Sequence, residues 1–162
     1  MPRQLVVLPL LAALLLTACE SREVETDLEI VGVHTGWYDT GGLAGGMNKI
    51  VPSISLELEN VSDRDIASVQ LNAIFRRIGE DHLDAWGQHF ALGIDRNGLA
   101  AGSTSDSIVL RSTLGYTGSQ NREQMLRNQE FVDAKVEVFG KHGRRMWVKM
   151  AEFQIERELL VE

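Results

Sequence analysis

Ser53-Ile-Ser-Leu-Glu-Leu-Glu-Asn60 alternates polar and apolar side chains without a break. A period of two puts Ile54, Leu56 and Leu58 on one face of a strand and Ser55, Glu57 and Glu59 on the other, one face buried and one wet. A helix would scatter the same residues around its axis, so the pattern excludes one here. Asn60-Val-Ser-Asp-Arg-Asp65 follows with turn formers. Ala67, Val69, Leu71, Ala73 and Phe75 then alternate with Ser68, Gln70, Asn72 and Arg76. Two half-buried strands joined by a short polar turn are the working unit of an antiparallel sheet.

The alternation extends outward from this pair. Leu28 to His34 reads as an earlier strand, and Trp86, Phe90, Leu92 and Ile94 share one parity that the pattern directs inward. Ser105 to Leu110 is a shorter strand; Ala134, Val136 and Val138 form another, and Met146, Val148 and Met150 a last one. About seven strands in a chain of 162 residues predict an all-β, immunoglobulin-like antiparallel β-sandwich. Asn121 to Asn128 lacks Gly, Pro and β-branched residues, and Asn121 with Gln124 resembles a capping box. That segment is expected as one short helix in the crossover before the last hairpin, packed down by Met125 and Leu126. In the final strand the apolar parity is even through Met150 and odd from Ala151 through Phe153 and Ile155. One face can hold both sets only through an extra residue, so a β-bulge near Met150–Ala151, or a change of sheet, is expected.

The N-terminus has a different composition. Arg3 is followed by an uninterrupted apolar run, Leu5 to Leu16, the n- and h-regions of a secretory signal. Twelve residues are too few to cross a bilayer core, which takes about 20. The run ends in Leu16-Thr-Ala-Cys19, which resembles the lipobox of bacterial lipoproteins. That resemblance implies cleavage before Cys19, diacylglycerol on its thiol and acylation of the new amino terminus. The expected organisation is therefore a signal peptide over 1–18, a lipidated Cys19 with a polar tether over 19–26, and a sandwich over 27–162. Glu20, not Asp, follows the cysteine, which under the enteric-type sorting pattern favours the outer membrane over the inner. Glu20 to Thr26 would reach at most about 25 Å, keeping the domain near its membrane.

Composition narrows the partners. Cleavage removes one base, Arg3, and no acid, so the net charge moves from −7 to −8. Anionic headgroups repel such a domain on average, and no nucleic-acid footprint of clustered cations is visible. Cys19 is the one cysteine, which excludes an internal disulfide and a CxxC site. Thr40-Gly-Gly-Leu-Ala-Gly-Gly46 matches neither GxGxxG nor GxxxxGK[ST] and is expected as a flexible strand-to-strand loop. His34, His82, His89 and His142 show no metal-ligand spacing, and His82 with Asp81 and Asp84 reads as a solvated turn. Without a GxSxG elbow or a converging acid pair, no catalytic residue, metal or cofactor is expected.

Pro52 to Leu58, Asn60, the acidic-basic turn, Val69 to Phe75 and Leu99-Ala-Ala-Gly-Ser-Thr104 are similar to FxLYD-type domains, small immunoglobulin-like modules of bacterial envelope proteins. Where that family carries an aromatic-Leu-Tyr-Asp string, this chain has Ala73-Ile-Phe-Arg76. The resemblance covers roughly residues 51–110 and implies no catalytic residues. The expected function is a non-catalytic interaction or accessory module, held on the membrane through Cys19 and binding another envelope protein. A carrier of a small apolar ligand between the sheets is the alternative, encouraged by the small residues Ala67, Ala73 and Ala134.

One surface is predicted for the partner. If Lys141-His-Gly143 closes a three-residue hairpin loop, Val138 faces Met146, Val136 faces Val148 and Ala134 faces Met150. The same register sets Phe139 opposite Arg145 and Trp147 opposite Glu137 on the outer face. Two aromatics beside an arginine are residue types enriched in binding hot spots; the alternative is that the Asn121–Asn128 helix or an N-terminal segment covers them as part of the core.

Overall fold

A computed structural model describes residues 23–80 and 85–160. Cys19, the signal segment and the tether as far as Arg22 lie outside the described residues, as do Asp81, His82 and Asp84. The alternation around Ile54 becomes β2 (Met47–Asn60), paired antiparallel to β1 (Leu28–Leu43). Beyond β2 lie β5 (Ile108–Arg111) and β6 (Tyr116–Gly118), both on its far edge, and β9 (Leu159–Leu160) runs parallel to β1. The second sheet has the order β4 (Gly87–Ile94), β3 (Val69–Arg77), β7 (Ala134–His142), β8 (Val148–Gln154), all antiparallel. Successive hairpins pass between the two sheets, the arrangement expected of an immunoglobulin-like sandwich. Among the described residues there are nine strands; β6 and β9 are three- and two-residue pieces that carry no periodicity to read.

The core follows the predicted parity along β2, β3 and β7. Ile54, Leu56, Leu58, Leu71, Phe75 and Val136 are fully buried, as are Ala73 and Ala134. Ala67 is not in a strand and is only half-buried, because Ser68, with φ +59°, breaks the ladder before Val69. Trp37 on β1 is the largest enclosed side chain and was not expected in the core. It gathers Trp86, Tyr116 and Phe131, with ring centroids 4.7–6.2 Å away.

α2 (Arg122–Leu126) is the expected crossover helix. Asn121 Oδ1 accepts the Gln124 N–H at 2.9 Å, satisfying a donor the first turn leaves open, and Met125 and Leu126 are buried. The bulge also lies where the parity slip puts it. Val138 pairs with Ala151 and Phe139 with Lys149, leaving Met150 as the extra residue. Val148, Ala151 and Phe153 thereby share the inner face with Gly140, Val138 and Val136.

Four expectations need correction. The glycine-rich stretch is not one loop: β1 runs to Leu43 and only Ala44–Gly46 turns the chain. Gly41 at φ +88° takes up a register shift between Asp39 and Gly42, a backbone setting that glycine adopts without strain. Part of the segment expected as tether is folded: Val24–Asp27 form one helical turn, α1, with Val24 buried. Met146 lies outside β8 and is 84% exposed, so Val138 faces Ala151 in its place. In β4 the inward parity holds at Ile94, which is buried, and at Trp86 just before the strand, which packs on the core, but fails at Phe90 and Leu92, which point outward at 57% and 60% exposure; a register shift separates Leu92 from Ile94. The inward positions are small because space there is small: a Cβ on Gly93 would lie 3.0 Å from Leu58 and Leu71, and one on Gly87 would overlap Ser112.

A candidate docking face on the second sheet

The outer face of the β4-β3-β7-β8 sheet divides into a charged half and an apolar half. Across one row, Gln88, Ile74, Glu137 and Glu152 stand side by side. Glu137 accepts from Arg76 Nε at 3.0 Å and from Lys149 Nζ at 2.8 Å; Lys149 also reaches Glu152 at 2.6 Å, and Lys135 reaches Glu152 at 3.4 Å. The Lys149 hydrogen bond is the largest influence on Glu137, holding its carboxyl below the usual range against the opposing effect of burial. The same contacts raise the Lys149 ammonium. Every charge in this lattice has an opposite neighbour.

The next row toward the β7–β8 hairpin carries two aromatics. Phe90, Asn72, Phe139 and Lys149 are aligned by the ladder, with Leu92 beside Gln70 and Lys141 one step further. Phe90 and Leu92, two residues apart on β4, are among the most exposed large apolar side chains of the described residues. Trp147, from the hairpin, packs at a tilt of 55° with its ring centre 5.9 Å from that of Phe90, and Lys141 Nζ sits 4.8 Å from the indole centre. Asn72, flanked by Phe90 and Phe139, is 8% exposed, and its Oδ1 has no hydrogen-bond partner. A half-buried aromatic cluster with a cation over one ring is chemically suited to another protein's surface.

The predicted trio is only partly assembled. Phe139 and Trp147 both belong to this face, but Phe139 is opposite Lys149, not Arg145, and Trp147 is not in register with Glu137. Arg145 is exposed in the hairpin turn, where its N–H donates to the His142 carbonyl at 3.1 Å. The cause is the loop: Gly143 to Trp147 all lie outside the ladder, so the three-residue turn and its register do not form. Phe90 and Leu92 were missed because large apolar residues were assigned to the core. The usable signal was the opposite parity, Gly87-x-His89-x-Ala91-x-Gly93, where Gly87, Ala91 and Gly93 mark the face that must approach its neighbours closely.

The histidines are dispersed. His34 is exposed on β1, while His89 Nδ1 meets the backbone of Arg111 on β5, 3.2 Å from its N–H and 2.9 Å from its carbonyl. His89 therefore closes the seam between the sheets. Among the described residues no three His, Cys, Asp or Glu side chains group as metal ligands.

No protein-family model matches the chain, nor does any curated protein. Two solved structures are loosely similar in shape. One is a Northeast Structural Genomics Consortium target, 8% identical over 82% of this chain and 89% of its own, with a TM-score of 0.44. The other, from Bordetella pertussis and provisionally named ApaA, is 14% identical over 81% of this chain and 94% of its own, with a TM-score of 0.43.

Proposed function

We propose that this protein is a lipid-anchored module of the bacterial envelope, attached through Cys19, that binds another envelope protein without catalysing a reaction. The observation that carries the docking role is the apolar half of the outer face. Phe90, Leu92, Phe139 and Trp147 come together there, beside a half in which all the charges are paired. The lipobox-like Leu16-Thr-Ala-Cys19 supports the anchor, the likeness to FxLYD-type modules fits an envelope setting, and Glu20 favours the outer membrane. The carrier alternative would need room between the sheets, and Trp37, Phe75, Ile54, Leu56 and Leu71 occupy that space at close to zero exposure.

The test uses a photo-crosslinking amino acid at Phe90 in the intact chain, in cells. A discrete protein adduct that Trp147→Ala with Leu92→Ala abolishes, at unchanged thermal stability, supports docking through this face. No adduct, or a loss of several kcal/mol in the variant, overturns it. Separately, Cys19→Ser should remove the protein from the membrane fraction together with the acyl mass.

A further inference from the structure

The β7–β8 hairpin departs from the chain's general chemistry. In an acidic protein, its turn His142-Gly-Arg-Arg-Met-Trp147 contains two cations and no acid. Arg144 and Arg145 are exposed and form no ion pair among the described residues, whereas most of the other arginines do. Met146 beside them is 84% exposed, the most exposed large apolar side chain of the described residues, and contributes to no strand. The turn is nevertheless held in place. Gly143 N–H donates to the Ser68 carbonyl at 3.0 Å, and Ser68 N–H to the Asp95 carbonyl at 2.8 Å.

The first described residues lie against this same turn. Glu23, Val24 and Glu25 line one surface cavity together with Arg144, Arg145 and Met146. Val24 is buried, and a Cβ on Gly140 would come within 2.7 Å of its side chain, so the N-terminal turn is packed against β7 and does not swing free. Only three residues separate Cys19 from Glu23, and the four steps between them reach at most about 14 Å. An interfacial headgroup layer is itself about 5–8 Å deep.

We infer that the Arg144-Arg145-Met146 tip is a membrane contact: Met146 enters the interface of the leaflet that holds the Cys19 acyl chains, and the two guanidinium groups bind its anionic phospholipid headgroups. This inference rests on the lipid-anchor reading of Cys19. A cationic pair flanking an exposed, flexible apolar side chain is the composition of an interfacial contact. Glu23 and Glu25 on the anchor side of the cavity weaken the field, so the tip adds orientation to an anchor that already supplies affinity. The chain's acidic balance repels anionic lipid only on average; at this end Arg144 and Arg145 add an exposed cationic pair. The docking face, with Trp147 one residue beyond Met146, then stands immediately above the membrane.

The experiment uses the mature lipidated protein in phosphatidylethanolamine–phosphatidylglycerol vesicles and in phosphatidylcholine vesicles. Because the lipid blocks Cys19, Met146→Cys carries a nitroxide at a single position, and Ala44→Cys, at the opposite end of β1, serves as the control. With phosphatidylglycerol present, the ratio of oxygen to water-soluble nickel collisions should rise severalfold at 146 and stay aqueous at 44. Adding Arg144→Glu and Arg145→Glu should return the label at 146 to water. A label at 146 as water-exposed as that at 44 overturns the inference, as does insertion indifferent to both lipid charge and the Arg→Glu changes. Protein that carries no acyl mass or fails to float with vesicles overturns the anchor reading itself, an outcome recorded before any label is read.

Discussion

Asn60 is fully buried at the end of β2, and replacing it tests how the turn end of the sandwich is held. Its Nδ2 donates to the carbonyls of Arg64 at 2.8 Å and Leu99 at 2.9 Å. Its Oδ1 accepts from the Ser62 N–H at 3.1 Å and hydroxyl at 2.7 Å. Backbone bonds from Asn60 N–H to Ser103 O and from Gly102 N–H to Asn60 O complete a clasp between the strand end, its turn and the Leu99–Thr104 segment. Asn60→Ala removes four side-chain bonds. Leu99 O keeps the Ile66 N–H, and the single Ser62 hydroxyl proton, released from Asn60 Oδ1, can turn to Arg64 O at 3.0 Å. The loss is therefore below the full sum, and about 2–4 kcal/mol is expected. Urea denaturation should show that as a lower midpoint at unchanged slope, and melting should fall by on the order of 10 °C. Asn60→Asp keeps the acceptor but turns two donors into a buried carboxylate facing two carbonyls, and should cost at least as much. If Asn60→Ala costs less than about 1 kcal/mol, or if Asp is tolerated, the clasp does not hold this end together.

Three further outcomes are expected. Gly140→Ala places a Cβ 2.5 Å from Met150 Sδ and 2.7 Å from Val24; it should cost about 1–3 kcal/mol and make the Val24 turn more susceptible to limited proteolysis. Because Glu137 is depressed in the folded state, its contribution is present above the unfolded carboxylate range and is lost as pH falls through the folded value; Glu137→Gln should therefore flatten the acid limb of a stability-versus-pH curve. Arg157 donates to the Leu126 and Phe131 carbonyls and pairs with Asp133; Arg157→Ala should loosen the α2 crossover, read as faster amide exchange around Phe131, with Arg157→Lys restoring little because one ammonium cannot reach all three groups.

The strands legible in the sequence are those with one buried and one wet face, such as Ser53–Asn60 and Val69–Phe75, where period two and burial coincide. The cap at Asn121 and the slip at Met150 were legible for the same reason: each is a local rule with a local signature. Phe90 and Leu92 were misread because size signals burial only where there is room, and β4's inner face, against Leu58, Leu71 and Ser112, has none. The hairpin register failed because it depended on a turn whose length residues 141–147 do not declare. Of the candidate face, Phe139 and Trp147 were legible, whereas their neighbour Phe90 comes from a strand about fifty residues earlier in the chain and needed the ladder to bring it near.

The extra residue in β8 also bears on how molecules avoid joining one another. β8 is the outermost strand of its sheet, and an even row of N–H and C=O groups along it would template a further strand from any neighbour. At Met150 that row falls out of step, and the residue before it is a lysine already engaged with two carboxylates. Copies crowded side by side in two dimensions would meet an interrupted edge, which disfavours runaway strand addition. On this side of the sheet the proposed docking is thereby left to the broad face, where side chains rather than backbone would choose the partner.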